Sequence, residues 1–265
     1  METGTLKVVC FSPTGTTKAI AGAVAAGMAS ERTEMIDITT PDARNRVLRT
    51  TEHDRLVVAV PVYMGRVPAL IQEWLWTIQA ERTPAVALVV YGNRAFDNAL
   101  LELADIMTEC GCHVAAGGAY IGEHSFSSPG IPTAEGRPDA NDMRHAEQWG
   151  RKIREKLLCA GLQTPGLVNI PGQRPYGGVT ELWSVDFIAV SEQCVQCGSC
   201  AERCPAGAID PHDSRLIDTE KCITCCACIK NCRQQARTMK PGLVQEAAVR
   251  LNTLCREPKE PVTFP

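Results

Sequence analysis

Two runs of four cysteines constrain this chain more than any other feature of its sequence. Both runs have the spacing Cys-x2-Cys-x2-Cys-x3-Cys, and they comprise Cys194, Cys197, Cys200 and Cys204, then Cys222, Cys225, Cys228 and Cys232. Three thiolates on one tight loop suit three irons of a cubane, and the fourth ligand comes from elsewhere. The pattern therefore predicts two [4Fe-4S] clusters, one beginning in each run.

Structural zinc is the alternative use of closely spaced cysteines. Its usual sites need only two Cys-x2-Cys pairs that close on one tetrahedral ion, whereas each run here continues to a third and a fourth cysteine. Residues 1–5 show no basic start followed by an apolar run, so we expect no secretory signal and no disulfide scaffold. Apolar stretches such as residues 56–60 are too short to span a membrane. We expect a cytoplasmic protein with reduced cysteines.

The charge of the chain limits its partners. A net charge of −3 gives no case for nucleic-acid binding. Between residues 191 and 240, seven Lys or Arg residues face six Asp or Glu residues, a formal +1. Each oxidised cluster with its four thiolates contributes −2, so the loaded region carries about −3.

The first 160 residues alternate β-rich runs with helical patterns. We predict strands over residues 6–11, 34–38, 55–60, 85–91 and 113–120, and helices over residues 17–30, 68–79, 97–110 and 139–159. Five strands separated by helices imply parallel β-α-β units with right-handed crossovers. In a flavodoxin-like order of 2-1-3-4-5, the ligand crevice lies at the carboxyl ends of strands 1 and 3.

The rest of the chain divides by composition. Residues 161–180 are rich in Pro and Gly and read as a linker. The cysteine-dense unit covers residues 181–240. In the C-terminal segment 241–265, apolar residues recur at helical spacing up to Leu254, and residues 257–265 are expected to be a loose tail.

A turn of hydroxyl residues and glycine follows the first predicted strand. Its candidate phosphate-binding residues are Ser12, Thr14, Gly15, Thr16 and Thr17. Backbone N–H groups, hydroxyls and the positive end of a helix dipole suit a phosphate dianion there. The turn lacks the G-x4-G-K-[ST] frame of a P-loop and the G-x-G-x-x-G dinucleotide motif. An ordinary helix cap is the alternative.

The loops after the third and fourth strands also lead into the predicted crevice. Each carries aromatic residues and a glycine that lets backbone approach a ligand; the candidate flavin-binding residues are Pro61, Val62, Tyr63, Met64, Gly65, Tyr91, Gly92, Asn93, Arg94 and Phe96. Three loops that converge on one crevice predict a bound flavin.

With these motifs the chain resembles the flavodoxin-ferredoxin fusions among the iron-sulfur flavoproteins. The resemblance covers most of residues 5–240 and is carried by SPTGTT, PVYMGRVP, YGNR and the two cysteine runs. It implies an α/β FMN-binding domain over residues 1–160, followed by a small α+β two-cluster ferredoxin domain.

In such ferredoxins the fourth cysteine of each run crosses to the other cluster. That assigns one cluster to Cys194, Cys197, Cys200 and Cys232, and the other to Cys222, Cys225, Cys228 and Cys204.

Two residues depart from the ferredoxin pattern. Cys226 stands where a glycine is common, as a bystander or as a substitute ligand. Arg233 follows the last cysteine where Pro is usual, and we hypothesise that its charge raises the potential of the cluster that Cys232 binds.

Other residues near the predicted crevice have open roles. His124 follows the fifth strand and is either a proton shuttle that titrates near neutrality or a structural loop residue. Arg66 and Arg94 either favour an anionic flavin, clamp an anionic substrate or are solvated. The long segment 127–139 is a candidate lid.

These features predict an oxygen-sensitive protein of an anaerobic host that transfers electrons between FMN, two [4Fe-4S] clusters and external redox proteins. One alternative is an FMN-dependent reductase of a small, anionic organic substrate, with His124 as proton donor. Another is a ferredoxin whose first domain binds no flavin and only docks partners. The sequence does not indicate the oligomeric state.

Overall fold

The predicted alternation of strands and helices is present between residues 6 and 160. A computed structural model describes residues 4–160, 168–178 and 184–265. The strands of this part are β1 (Leu6–Cys10), β2 (Thr33–Asp37), β3 (Arg49–Thr50), β4 (Arg55–Pro61), β5 (Gln79–Ala80), β6 (Thr83–Tyr91) and β7 (Cys112–Ile121). The helices are α1 (Thr16–Met28), α2 (Ala69–Trp76), α3 (Ala99–Glu109) and α4 (Ala140–Ala160).

The main sheet has the predicted strand order. Its parallel strands lie in the order β2-β1-β4-β6-β7, and β3 and β5 form a separate short pair. Counted along the chain, the five main strands have the flavodoxin-like order 2-1-3-4-5. Val57 and Val58 point to opposite faces and are both fully buried, because helices cover the two faces of the sheet. The prediction of a doubly wound parallel sheet is confirmed.

The C-terminal tail is a strand, and the prediction of a loose tail over residues 257–265 is wrong. Strand β10 (Val262–Phe264) pairs antiparallel with β7 at the edge of the main sheet. An edge strand such as β7 leaves a row of N–H and C=O groups for another segment to pair with. Three residues are too few to show a strand period in the sequence.

The cysteine-rich part consists of short elements and one longer helix. These are β8 (Ile188–Val190), α5 (Ser199–Glu202), α6 (Ala227–Lys230), β9 (Arg237–Met239) and α7 (Leu243–Leu254), with β8 antiparallel to β9. The predicted C-terminal helix corresponds to α7. None of the helices within the described ranges combines the length and apolar character that a membrane span requires.

The predicted linker over residues 161–180 is only partly described. Residues 161–167 and 179–180 lie outside the described ranges, and residues 168–178 contain no helix or strand. In this stretch Ile170 is buried in the core of the first domain. Tyr176 donates a hydrogen bond to Asp105 of α3 at 2.6 Å, and Arg174 pairs with the same carboxylate. The connection therefore packs along the first domain.

The cysteine-rich part covers the carboxyl-end loops of the main sheet. Lys230 of α6 pairs with Glu123, which follows β7. Asn231 donates a hydrogen bond to the carbonyl oxygen of Pro13, which follows β1, at 3.3 Å. These contacts bring the second cysteine run to the crevice where the topology predicts a ligand.

Candidate functional site

A cavity of about 450 Å³ lies at the carboxyl ends of β1, β4, β6 and β7. Three predicted loops line it, through Thr14, Thr16 and Thr17 after β1, Pro61, Val62, Tyr63, Met64 and Gly65 after β4, and Tyr91, Gly92 and Arg94 after β6. Gly122 and His124, after β7, also line it. The structure thus brings most of the predicted flavin-binding residues around one space.

The loop after β1 leads into the start of α1, whose first residues Thr16 and Thr17 line the cavity. Gly15 precedes the helix with φ +94° and, as the N-cap residue, makes no side-chain hydrogen bond to it. Its first turn contains no acidic residue. Ser12 shapes the loop, since its hydroxyl accepts the N–H of Lys18 at 2.9 Å. Ser12 and Gly15 are not among the residues that line the cavity, and their contact with a phosphate stays a prediction.

The loop after β4 is a tight turn. Tyr63 and Arg66 exchange two backbone hydrogen bonds of 3.0 Å, and the central residues Met64 and Gly65 have φ of 53° and 81°. Two consecutive positive φ values define a type I′ turn, which favours glycine. A Cβ atom on Gly65 would stand 2.6 Å from a carboxylate oxygen of Asp97. The turn therefore places Met64 on the cavity wall, where it is 43% exposed.

His124 lies against Gly92 and is neutral at pH 7. A Cβ atom on Gly92 would stand 2.2 Å from the His124 ring, so only glycine allows this approach. Burial, with a smaller effect of Lys230 and Arg94, lowers the pKa of His124 to about 4. The prediction that His124 titrates near neutrality is therefore wrong.

The hydrogen bonding of His124 fixes its tautomer. Its Nδ1 accepts the N–H of Phe126 at 3.0 Å, so the proton of the neutral ring is on Nε2. His124 can thus donate a hydrogen bond to a ligand in the cavity, but it does not exchange charge near pH 7.

Two predicted flavin-binding residues point elsewhere. Asn93 is 3% exposed, and its amide donates to the carbonyl oxygens of Cys255 and Glu257 at 2.8 and 2.9 Å. Asn93 therefore holds the C-terminal segment that leads to β10. Phe96 packs edge-on against the ring of Tyr91, with centroids 5.7 Å apart, on the side of the core. A loop position alone does not reveal which side chains turn inward.

Arg66 is not free to clamp an anion. Its Nε and Nη2 donate to the buried carboxylate of Glu102 at 2.8 and 2.7 Å, and its guanidinium lies 5.1 Å from the ring centroid of Tyr176. Arg94 does line the cavity and pairs with Asp97.

The segment 127–139 is not the lid of this cavity. It is tied down beside it: Asn252 of α7 donates to the carbonyl oxygen of Pro132, and Arg137 pairs with Asp142. The covering wall comes instead from the cysteine-rich part, through Ile223, Thr224, Ala247, Arg250 and Leu251. No local pattern in the sequence points to these five residues, because they reach the cavity only through the packing of the two parts of the chain.

The second cysteine run is immediately behind this wall. Ile223 and Thr224 lie between Cys222 and Cys225 in sequence and line the cavity. Burial raises the pKa of the Tyr63 hydroxyl well above its usual range, and the nearby thiols of Cys225 and Cys226 add to this. Tyr63 thus lies between the cavity and the second run.

The structure groups Cys204 with the second run. Burial raises the pKa of Cys222, Cys225 and Cys228, and in each case the neighbouring thiol of Cys204 contributes to the rise. The Cys204 thiol also accepts the N–H of Ala208 at 3.2 Å. The predicted crossing of Cys204 to the other cluster agrees with this geometry, and the full ligand assignment stays a prediction.

The two residues that depart from the ferredoxin pattern differ in burial. Cys226 is 2% exposed, and its backbone has φ 56°, as Gly198 has 72° at the same point of the first run. This left-handed conformation explains why glycine suits the position. Arg233 is exposed to solvent, where screening weakens any effect of its charge on a cluster.

The residues present fit the predicted cofactors. The thiols of Cys204, Cys222, Cys225 and Cys228 lie near one another, and the N–H of Ala208 donates to that of Cys204. Four such thiols suit a [4Fe-4S] cluster, in which each thiolate binds a different iron. Among the described residues, no three His, Cys, Asp or Glu side chains converge on a single-ion site. The cavity, with aromatic walls and the N-terminus of α1 at one end, suits a flavin with its phosphate.

Comparison with known proteins gives the following similarities. Residues 187–233 match a protein family described as a 4Fe-4S dicluster domain. A comparison with curated proteins found no match.

Three solved structures are similar to part of this chain. A flavodoxin from the domain Archaea is 18% identical, with 58% of this chain and 99% of that chain covered and a TM-score of 0.39. A Streptococcus pneumonia TIGR4 flavodoxin is 16% identical, with 58% and 99% covered and a TM-score of 0.39. A diflavin flavoprotein A3 from Nostoc sp. is 14% identical, with 58% and 94% covered and a TM-score of 0.36. At these TM-scores the assignment of the fold rests on the strand order.

The strand order and the family match together confirm the predicted architecture. The chain combines a flavodoxin-like α/β domain with a 4Fe-4S dicluster domain. This combination indicates a role in electron transfer and supports the predicted cofactor set of FMN and two [4Fe-4S] clusters.

Proposed function

We propose that this protein transfers electrons between FMN in the cavity and two [4Fe-4S] clusters, and exchanges electrons with an external redox protein. One observation carries the proposal: Ile223 and Thr224, between two cysteines of the second run, line the same cavity as the three flavodoxin-like loops. A cluster bound by this run is therefore next to the ligand of the cavity.

The cavity residues divide the work of holding FMN. Thr14, Thr16 and Thr17, with the N-terminus of α1, bind the phosphate. The turn at Met64 and the glycine at Gly92 border the ring. When bound, FMN exchanges one or two electrons, whereas each [4Fe-4S] cluster exchanges one.

The proposed cluster ligands follow the crossed pattern. The inner cluster, beside the cavity, is bound by Cys222, Cys225, Cys228 and Cys204. The outer cluster is bound by Cys194, Cys197, Cys200 and Cys232. The neutral ring of His124 donates a hydrogen bond from Nε2 to an acceptor in the cavity.

The outer cluster is the proposed contact for an external redox protein. Cys197 and Val195 of the first run are exposed, Val195 by 62%. The loaded region carries about −3, which favours a partner with a positive contact surface. Redox encounters of this kind use small, transient interfaces.

An FMN-dependent reductase of a small anionic substrate is the second candidate function. The observation that favours it is the presence of two arginines in the cavity lining, Arg94 after β6 and Arg250 of α7. Against it, about 450 Å³ of cavity leaves little room beside a flavin.

The first experiment is the anaerobic quantification of flavin, iron and sulfide per chain, in protein isolated without added cofactor. We expect one FMN with about eight iron and eight sulfide. Eight iron without flavin, even after FMN is offered, would leave a ferredoxin with a docking domain and would sink the proposal.

A variant pair tests the cavity itself. In Thr14→Glu a carboxylate stands where we place the phosphate, so we expect FMN content to fall at least about tenfold, a loss of about 1.4 kcal/mol in binding. Ser128→Glu adds the same charge at an exposed residue away from the cavity and is the control. Equal FMN content in the two variants contradicts this placement of the phosphate.

A further inference from the structure

One buried arginine of the dicluster domain has an unused hydrogen-bond donor. Arg237 of β9 is 3% exposed, and its Nη2 donates to the carbonyl oxygen of Ser214. Its Nη1 has no hydrogen-bond partner among residues 4–160, 168–178 and 184–265. A guanidinium stays charged at any pH a protein tolerates, and a buried donor without an acceptor is costly. The geometry requires an acceptor, preferably a negative one, beside Nη1.

A candidate acceptor lies in the second cysteine run. Strand β9, which carries Arg237, packs against helix α6, which carries Cys228. Arg237 and Cys228 therefore belong to neighbouring elements, and the guanidinium is shielded from solvent.

The first half of the domain has an apolar residue at the corresponding position. Arg237 is five residues after Cys232, the last cysteine of its run, and Ile209 is five residues after Cys204. Ile209 is also buried, and both residues take part in short antiparallel pairings, Ile209 with Ile217 and Arg237 with Val190. An isoleucine thus suffices to build this part of the fold, so the arginine needs another explanation.

We propose that Arg237 tunes the inner cluster: its Nη1 donates a hydrogen bond to a sulfur of that cluster, on Cys228 or on the cubane, and raises the reduction potential. The inference rests on the proposed function, since it requires a cluster on the second run. Net charge and hydrogen bonds to the sulfurs set the potentials of such clusters, and donors outside the ligand set are a common means of control.

A hydrogen bond from Arg237 would affect which of the two clusters holds an added electron. Reduction makes a cluster more negative, so a buried positive charge favours the reduced form of its neighbour most. With Arg237 on one side only, the inner cluster has a higher potential than it would have with an isoleucine there. This favours an electron beside the cavity over one at the surface.

The test is an anaerobic redox titration of the full chain, followed by EPR, on Arg237→Met, Arg237→Lys and a control. We expect Arg237→Met to make reduction of one cluster at least about tenfold less favourable, which is about 59 mV for a one-electron couple. The other cluster should shift much less, and Arg237→Lys should fall between the wild type and Arg237→Met. Arg215→Met removes an exposed arginine of the same domain and should leave both potentials unchanged.

Iron and sulfide content, measured on the same samples, separates the possible failures. Wild-type protein without iron contradicts the proposed function, whereas fully loaded Arg237→Met with unshifted potentials overturns only the role of Arg237. Equal shifts of both clusters also overturn it, because they indicate a general effect of charge. If Arg237→Met does not bind its clusters, Arg237→Lys and Arg237→Gln are compared instead, because both variants keep a donor for the carbonyl oxygen of Ser214. A lower reduction potential in Arg237→Gln than in Arg237→Lys supports the proposal. Reduction potentials equal to those of the wild type in both variants overturn it.

Discussion

The two cysteine runs have the same local backbone and opposite surroundings. Gln196 and Thr224 have φ of 53° and 50°, and Gly198 and Cys226, which precede α5 and α6, have 72° and 56°. Yet residues 195–197 are exposed, whereas residues 224–227 are buried. Cysteine spacing thus determines a loop that fits a cluster, and the packing of the rest of the chain decides whether that loop faces solvent or a cavity.

Contacts with the first domain accompany the burial of the second run. Tyr63 lies near Cys225 and Cys226, and α6 is tied to the first domain by the ion pair of Lys230 and Glu123. The second run is therefore covered on the side where we place FMN, while residues 195–197 of the first run stay accessible to a partner. The same cysteine run is thus used twice, once beside the cavity for the inner cluster and once at the surface for the outer cluster.

The largest effect is expected from the cysteines that cross between the runs. Cys204→Ser should remove the inner cluster, so that iron falls from about eight to about four per chain. The EPR signal that remains should then match that of Cys225→Ser and differ from that of Cys197→Ser. A match with Cys197→Ser instead would show that each run closes its own cluster.

The next effect is expected from the protonation of His124, which lines the cavity. His124 has a pKa lowered from 6.5 to about 4, so the unfolded chain binds its proton first as the pH falls. Folding stability should therefore drop between pH 6.5 and pH 4, by at most about 3 kcal/mol. In His124→Asn the amide oxygen still accepts the N–H of Phe126 but does not titrate, so this variant should lose less stability over the same range. Parallel denaturation curves against pH for the two proteins would contradict the burial of the ring.

Metal removal should also distinguish the two runs. With an iron chelator under anaerobic conditions, the outer cluster should be lost first, because Cys197 is exposed and Cys225 is buried. We expect the two clusters to be lost at rates that differ by at least about tenfold. This corresponds to about 1.4 kcal/mol of additional free energy to open the second run. Single-phase loss of all eight iron atoms would mean that the runs do not differ in access.

The smallest effect is expected at the exposed surface of the first run. Val195→Lys adds a positive charge beside Cys197 and should slow electron transfer to a cationic redox protein several-fold at low salt, with less effect at high salt. Val249→Lys, on α7, is the matched control, because Val249 is also exposed, by 51%. Stability should change by no more than about 0.5 kcal/mol in either variant. Equal rates in the two variants would place the contact surface elsewhere.

The sequence allowed much of the fold to be predicted, for reasons that are local. The main strands are Val-rich runs buried on both faces, such as β4, and their pattern is visible without the structure. Strand β10 was missed, because its three residues pair only with a distant edge. The loop that carries Met64 and Gly65 was predicted to border the crevice, because its residues directly follow a visible strand pattern.

The candidate site was predicted less completely. Asn93 is in the right loop, but its amide turns to the C-terminal segment, whose position no local pattern shows. The covering residues Ile223 and Arg250 are more than a hundred residues away from the loops that they face. The pKa of His124 depends on burial, which no local sequence pattern shows.

By itself the sequence determined the spacing of the cluster-binding cysteines, the alternation of strands and helices, and most of the loop residues that meet at the crevice. These depend on spacing and period, which are properties of neighbouring residues along the chain. Only the tertiary structure decided that the second run faces the cavity, that the first stays at the surface and that Arg237 is buried without a partner for Nη1. Burial and distance between remote residues are set by the packing of whole domains, and no local pattern contains them.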